Sequence, residues 1–517
     1  MSGEALLFVR KASGLRRAIT PWQALLFCAP SLAPWHYYVM AHMPYWYPGI
    51  MLPTVYFIGG LLVLIECISM SLIYVAMPRS GSIYVPLSRA VSPMLGIMEA
   101  TRSFITNPIF RGATAFMAAG QLINVFAITG LVTQNEALAN AATAAAANIW
   151  LLFAIAIIFQ IIGTLVDGLG PGILGWWQFI WGAGVFIGWA FVVGSYLSVP
   201  AGGLQARWDA TFGPGAYDEI MTLSADLEMA PLTWEASLSA FLLPVSSTFP
   251  YVIMPVTGEV QEPSKSIPLS MAGGAVIILF VNTVITWAYT SAYGEFAIRY
   301  IYCVYNKADQ FKINRALPID LATLAAAVAP NSAIAGISSF APQPGNFADM
   351  TLNCAFTSRP LFALAIDRMG PEIFTKVHPK WHSPYFGSIY WFVLSVVTAF
   401  LAAIGYNVSI IFGIGWVYMF ARLMQHWSEI ELPIRRPEIW ERGLKITVAG
   451  FPLMTILGSI SATIALYVLT TSTSAVLGGL MIAVVYFIGA IWFGYYGWRN
   501  LKKGIPPARI YGEVPPE

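Results

Sequence analysis

The sequence predicts an all-α integral membrane protein of about twelve spans, judged by the ~20 apolar residues that a membrane crossing needs. Three observations carry this. Residues AVILMFWYC make up 57% of the chain and charged residues only 10%, against about 25% charged in soluble domains. Apolar stretches of crossing length recur from end to end. Two of them are interrupted in the same way. The first reads Phe27-Cys28-Ala29-Pro30, then Pro34-Trp35. The sixth reads Phe241-Leu242-Leu243-Pro244, then Pro250-Tyr251. Proline removes an N–H and clashes with the carbonyl four residues back, so both helices open there. Opened backbone inside a bilayer is tolerated only against protein or a wet cavity. Matching breaks in two halves of a chain are the sequence mark of an inverted-repeat transporter, whereas a single kink would be ordinary.

In chain order the expected spans are 20–42, 49–76, 96–131, 148–167, 171–198, 236–258, 267–297, 331–366, 384–405, 408–428, 446–470 and 474–498. No separate soluble domain is visible, so 1–517 reads as a single unit. The third span is overlong and carries Arg102 and Arg111; its first half is expected at the cytoplasmic surface or strongly tilted. The alanine-rich run 137–148 is expected as a short outer helix or a spacer. Asn407-Val408-Ser409 is a weak match to a glycosylation acceptor. No cleaved leader is expected, because no early apolar core precedes a small-residue cleavage site.

Lys and Arg set the orientation. With the N-terminus inside, Arg10, Lys11, Arg16, Arg17, Arg79, Arg89, Lys265, Arg368, Arg435, Arg436 and the basic tail fall on the cytoplasmic side. Arg207, Arg299, Lys307, Lys312 and Arg315 fall outside. An even span count returns the tail to the inside, and the plasma membrane is the expected location. The net charge of +2 argues against nucleic-acid binding. The expected partners are membrane lipid and a small molecule. Cys28, Cys67, Cys303 and Cys354 form neither a disulfide framework nor a CxxC zinc site. No metal and no cofactor is expected beyond sodium or a proton as coupling ion.

Three segments resemble those of the amino acid–polyamine–organocation transporter superfamily. Met77-Pro78-Arg79-Ser80-Gly81-Ser82-Ile83-Tyr84-Val85 is similar to its M-P-R-S-G-G-x-Y-V segment between spans two and three. Residues 258–268, from Gly258-Glu259-Val260 to Ile267-Pro268, are similar to its G-E-V-x-x-P-x-x-x-I-P. Ser358-Arg359, followed by Ala363, Ala365 and Asp367, resembles its motif closing span eight. The resemblance implies a secondary transporter of the five-plus-five inverted-repeat fold. The repeats would be 20–198 and 236–428, with 446–498 appended as two further helices. It implies amino acids or related amines as substrates. Two departures stand out. The glycine-rich run at the first break is Ala29-Pro30-Ser31 here, and Pro30 has no amide to offer a carboxylate. Span five, 171–198, lacks the lysine that proton-coupled relatives often carry.

The site is expected between Ala29, Pro30, Ser31 and Leu32 of span one and Ser246, Ser247, Thr248 and Phe249 of span six. Half-helix N-termini suit a carboxylate, and half-helix C-termini present carbonyls that suit an ammonium or metal cation. A hydroxyl that instead bonds back to its own helix is the plain alternative. Asp349, with Asn353 one turn on, is expected as a sodium ligand or protonation site; the alternative is a paired Asp tying span eight to a neighbour. Glu66, Glu99, His36 and Asn282 are weaker candidates, Glu99 being expected to pair with Arg102. A cytoplasmic gate of exposed ion pairs is expected, Arg17 with Asp367 and Arg79 with Glu259. A sensor or channel on the same scaffold is the alternative function. An enzyme is not expected, for want of a nucleophile motif or a His/Asp metal set.

Overall fold

The computed structural model describes residues 8, 9, 12–32, 34–310, 318–406, 413–472 and 474–516. Arg10, Lys11, Lys312, Arg315 and the Asn407–Ser409 acceptor lie outside the described residues. The described chain is almost wholly helical; its one sheet is the short hairpin Thr447–Val448 with Phe451–Pro452.

Among the described residues, eight helices are long and apolar enough to cross a membrane. They are Leu52–Ala76 (span two), Pro93–Val132 (three), Ile149–Gly168 (four), Pro171–Leu197 (five), Pro263–Tyr293 (seven), Tyr385–Ala403 (nine), Leu453–Thr471 (eleven) and Ala475–Lys502 (twelve). Gln343–Ile366 (eight) and Ile414–Arg435 (ten) are of crossing length but carry buried charged and amide side chains, which lowers their hydropathy. Spans one and six are the interrupted ones. Span one runs as Pro21–Leu25, a 3₁₀ stretch Leu26–Leu32, then Pro34–Trp46. Span six runs as Trp234–Ala240 and Leu242–Ser247, then turns and resumes as a 3₁₀ segment Met254–Glu259.

Two boundaries differ from expectation for local reasons. The stretch expected as one eighth span is split into Ser332–Phe340 and Gln343–Ile366, because Pro342 ends the first helix and starts the second. Span three is a single helix of 40 residues, Pro93–Val132, so it starts a turn before the expected boundary, where Pro93 opens it. Its Arg102 is buried because Glu99, one turn earlier, pairs with it at 2.6 Å, as the sequence suggested. The alanine-rich run forms the helix Glu136–Ala146.

The face opposite the basic loops is closed by tyrosines that donate to backbone carbonyls of facing helices. Tyr196 reaches Leu321 O at 2.6 Å, Tyr293 reaches Leu324 O at 2.7 Å and Tyr289 reaches Ala41 O at 3.2 Å. On the same side the Lys307 ammonium hydrogen-bonds Asp226 at 2.9 Å and holds its carboxyl below the usual range.

Spans three and nine meet through Gly112, where an added Cβ would run into Thr398 Oγ1 and the Ser395 carbonyl. Gly120, two turns on, has open space instead. Overpacking a close helix contact costs about 1–3 kcal/mol, while Gly→Ala in a free helix position gains up to about 1 kcal/mol. Gly112→Ala therefore lowers the melting temperature in detergent and Gly120→Ala does not; equal melting temperatures would refute this contact.

Candidate functional site

Span one enters the site through a capping box. The Thr20 amide donates to Gln23 Oε1 at 2.9 Å, and the Gln23 amide to Thr20 Oγ1 at 3.4 Å, with Pro21 opening the helix. Five residues later the helix tightens to 3₁₀ around Pro30, and Ala29, Pro30, Ser31 and Leu32 are all buried. The Ser31 hydroxyl donates to Cys28 O at 2.5 Å, so it serves its own helix. Cys28 in turn packs on span seven at Gly274, where an added Cβ would lie 2.5 Å from Cys28 Cβ.

Span six repeats the pattern. Ser246 and Ser247 both donate to Leu243 O, at 3.0 and 2.8 Å. Thr248 is different: its backbone is extended and its hydroxyl pairs with His36 Nε2 of span one at 3.1 Å. The two breaks are thus joined side chain to side chain, through one expected hydroxyl and one weaker candidate.

The carbonyl end of opened span six is occupied from span ten. Arg422 donates to Val245 O at 2.6 Å, to Thr248 O at 2.5 Å and to the Tyr251 hydroxyl. Its guanidinium lies 4.7 Å from the centre of the Phe249 ring and 5.1 Å from that of Tyr251. Glu66 of span two balances it at 3.4 Å. The network continues through His426, which reaches Glu66 at 3.1 Å and Glu429 at 2.9 Å, and through Ser69, which donates to Glu429 at 2.6 Å. Arg422 was not among the expected site residues. A charge in the middle of span ten, with His426 and Glu429 following at helical spacing, was the available signal, and its partners Glu66 and the opened span six are far away in sequence.

Asp349 and Asn353 lie one turn apart, as the spacing required. Asn353 donates to Asp349 Oδ1 at 2.8 Å, and Arg111 of span three pairs with the other carboxylate oxygen. This geometry favours the tie between spans three and eight over a carboxylate open to sodium. Asn282 is buried, and its side-chain oxygen has no hydrogen-bond partner among the described residues.

The acids expected in a gate are paired with other arginines, and the pairs are buried rather than exposed. Glu259 takes a bidentate contact from Arg359 of span eight, 3.0 Å to each oxygen, and a 3.0 Å bond from Ser80. Arg359 also pairs with Asp167 at the end of span four, which accepts from Ser358 at 3.0 Å and Ser388 at 2.6 Å. Asp367 is held by Arg89 at 2.7–2.8 Å and by Tyr84 at 2.5 Å. All five charged side chains are fully buried. Arg79 donates to Pro515 O at 2.7 Å. Arg17 and Arg79 line, with Ser80, Gly258 and Phe362, a cavity of about 170 Å³ on the basic face. The expected pairing failed because Arg359 and Arg89 sit on helices already packed against these acids, which spacing along the chain does not show.

The sequence model of the amino acid permease family matches residues 22–493. The chain belongs to that family. Among curated proteins, none matches it. Family membership makes the chain a membrane transporter of amino acids in general terms.

Removing one partner of a buried pair strands a charge and costs about 3–5 kcal/mol. Arg359→Gln, which leaves both Glu259 and Asp167 without their cation, should therefore reduce stability by that amount or more, read as melting temperature and yield from membranes. Lys265→Gln, at an exposed pair with Glu262, should change it by less than about 1 kcal/mol. Equal effects would show that the Glu259–Arg359 pair does not hold this face together.

Proposed function

We propose that the protein is a secondary transporter moving an amino acid or a related small amine by alternating access to one site, lying between residues 29–32 and 246–249. The observation that carries this reading is the meeting of two opened spans through the 3.1 Å contact of His36 with Thr248. Opened backbone presents N–H groups that suit a substrate carboxylate, while the carbonyl end of span six is already taken by Arg422. The matching breaks support two inverted repeats, 20–198 and 236–428, with 446–498 appended. The basic loops support cytoplasmic termini, and the plasma membrane is the location that goes with an amino acid uptake role.

Alternating access needs closures that separate. Tyrosine-to-carbonyl bonds close the outer side and buried ion pairs close the inner one. The inner pairs join opposite halves: Asp167 of span four meets Arg359 of span eight, and Arg89, before span three, meets Asp367 after span eight. Opening inward would break these pairs in an aqueous vestibule, where water takes over the solvation of both partners.

Purified protein in detergent, screened by thermal shift against amino acids and amines, tests the reading. A ligand near 100 Kd stabilises by about 2.7 kcal/mol. At least one amino acid should do so, and Thr248→Val should weaken that ligand about three- to tenfold through one lost hydrogen bond. Uptake into proteoliposomes should follow the same ranking. No stabilising amino acid in the screen, or one whose affinity ignores Thr248→Val, would contradict the proposed site.

A further inference from the structure

We infer that Arg422 is a built-in cation that fills the carbonyl end of opened span six, so that neither a dissociable metal ion nor the substrate's ammonium occupies it. The inference rests on the transport reading only for its functional consequence; the assignment itself rests on geometry. A helix that stops at Ser247 leaves carbonyls without an N–H partner, and inside a bilayer they must be satisfied by another group. A bound cation or a substrate ammonium is the usual chemistry for such an end. Here the guanidinium already donates to Val245 O and Thr248 O, at 2.6 and 2.5 Å, and to the Tyr251 hydroxyl.

Its setting is that of a fixed charge. Arg422 is 3% exposed and lies beside the rings of Phe249 and Tyr251, with Glu66 at 3.4 Å. Arginine stays protonated under all ordinary conditions, so the cation cannot dissociate. The planar fork spans two carbonyls at once, which a lysine ammonium does less well. The same side chain ties spans two, six and ten together, so it positions the break while neutralising it. The consequence is that this carbonyl end contributes no sodium dependence, and substrate discrimination falls to the N–H end and to Thr248.

The experiment compares wild type, Arg422→Ala and Arg422→Lys in sodium, N-methylglucamine and low-millimolar methylguanidinium chloride, reading melting temperature and, separately, amino acid affinity. Wild-type melting temperature and affinity should be the same in sodium and N-methylglucamine, within about threefold for affinity. Arg422→Ala should be destabilised in N-methylglucamine and recover with methylguanidinium or sodium. Arg422→Lys should keep the cation independence at reduced stability. A wild-type affinity that falls more than about threefold without sodium would overturn the inference, as would an Arg422→Ala protein indifferent to all three cations. If the alanine variant cannot be purified, the wild-type and lysine arms still decide. If no amino acid binds any of the proteins, the transport reading fails, while the melting temperatures in the three cations still judge the place of Arg422.

Discussion

The constraint on which the structure depends is the opened backbone of span six. Leu242–Ser247 ends in the interior of the molecule, and the next segment starts only at Met254. Its carbonyls must be satisfied there, because hydrocarbon offers no donors. Arg422 supplies them, Glu66 balances Arg422, and His426 links Glu66 to Glu429. Span ten therefore needs its polar face, span two needs its acid, and both lose hydropathy or gain cost in consequence. The break in span one is satisfied more simply, by a 3₁₀ turn, an internal serine bond and the His36–Thr248 contact.

The same logic organises the rest of the buried charge. Arg102 has Glu99, Arg111 has Asp349, Arg89 has Asp367, and Arg359 is shared between Asp167 and Glu259. Desolvating a charge costs several kcal/mol, and pairing recovers much of it only when geometry is good. Such pairs are weak sources of net stability but strong sources of specificity for one arrangement. On the proposed transport reading, that suits halves that pack in one way on the closed side and separate at defined places. Of the pairs that cross between halves, Arg89–Asp367 and Arg359–Asp167 lie on the basic face and Arg111–Asp349 and Arg422–Glu66 lie within the spans, while the opposite face is joined by neutral tyrosine bonds, which are individually weaker.

Much of this was legible in the sequence where one residue's chemistry suffices. Pro30, Pro244 and Pro250 announced the breaks, because proline acts locally. Span positions followed from apolar length, and Glu99–Arg102 followed from i,i+3 spacing. Asp349 and Asn353 were placed together for the same reason. What failed was everything decided by distant packing. Glu259 was expected to meet Arg79 and meets Arg359, because both acid and base lie on helices whose adjacency no local pattern encodes. Ser31, Ser246 and Ser247 were expected at the substrate site with a bond back to their own helices as the plain alternative for each hydroxyl, and each makes that bond here. Arg422 was overlooked because a charge within a span declares its cost but not its partner. The split of the eighth span at Pro342 was readable and was hidden by the apolar residues on both sides of it.

The central claim is that the two breaks form one substrate site. It is tested most directly by a cryo-EM map of the protein with the amino acid that stabilises it most in the thermal screen. The account predicts ligand density between residues 29–32 and 246–249, with Thr248 within hydrogen-bond distance and Arg422 still on the carbonyls of Val245 and Thr248. Density confined to the cavity beside Arg17 and Arg79, or to any peripheral pocket with both breaks empty, would contradict it.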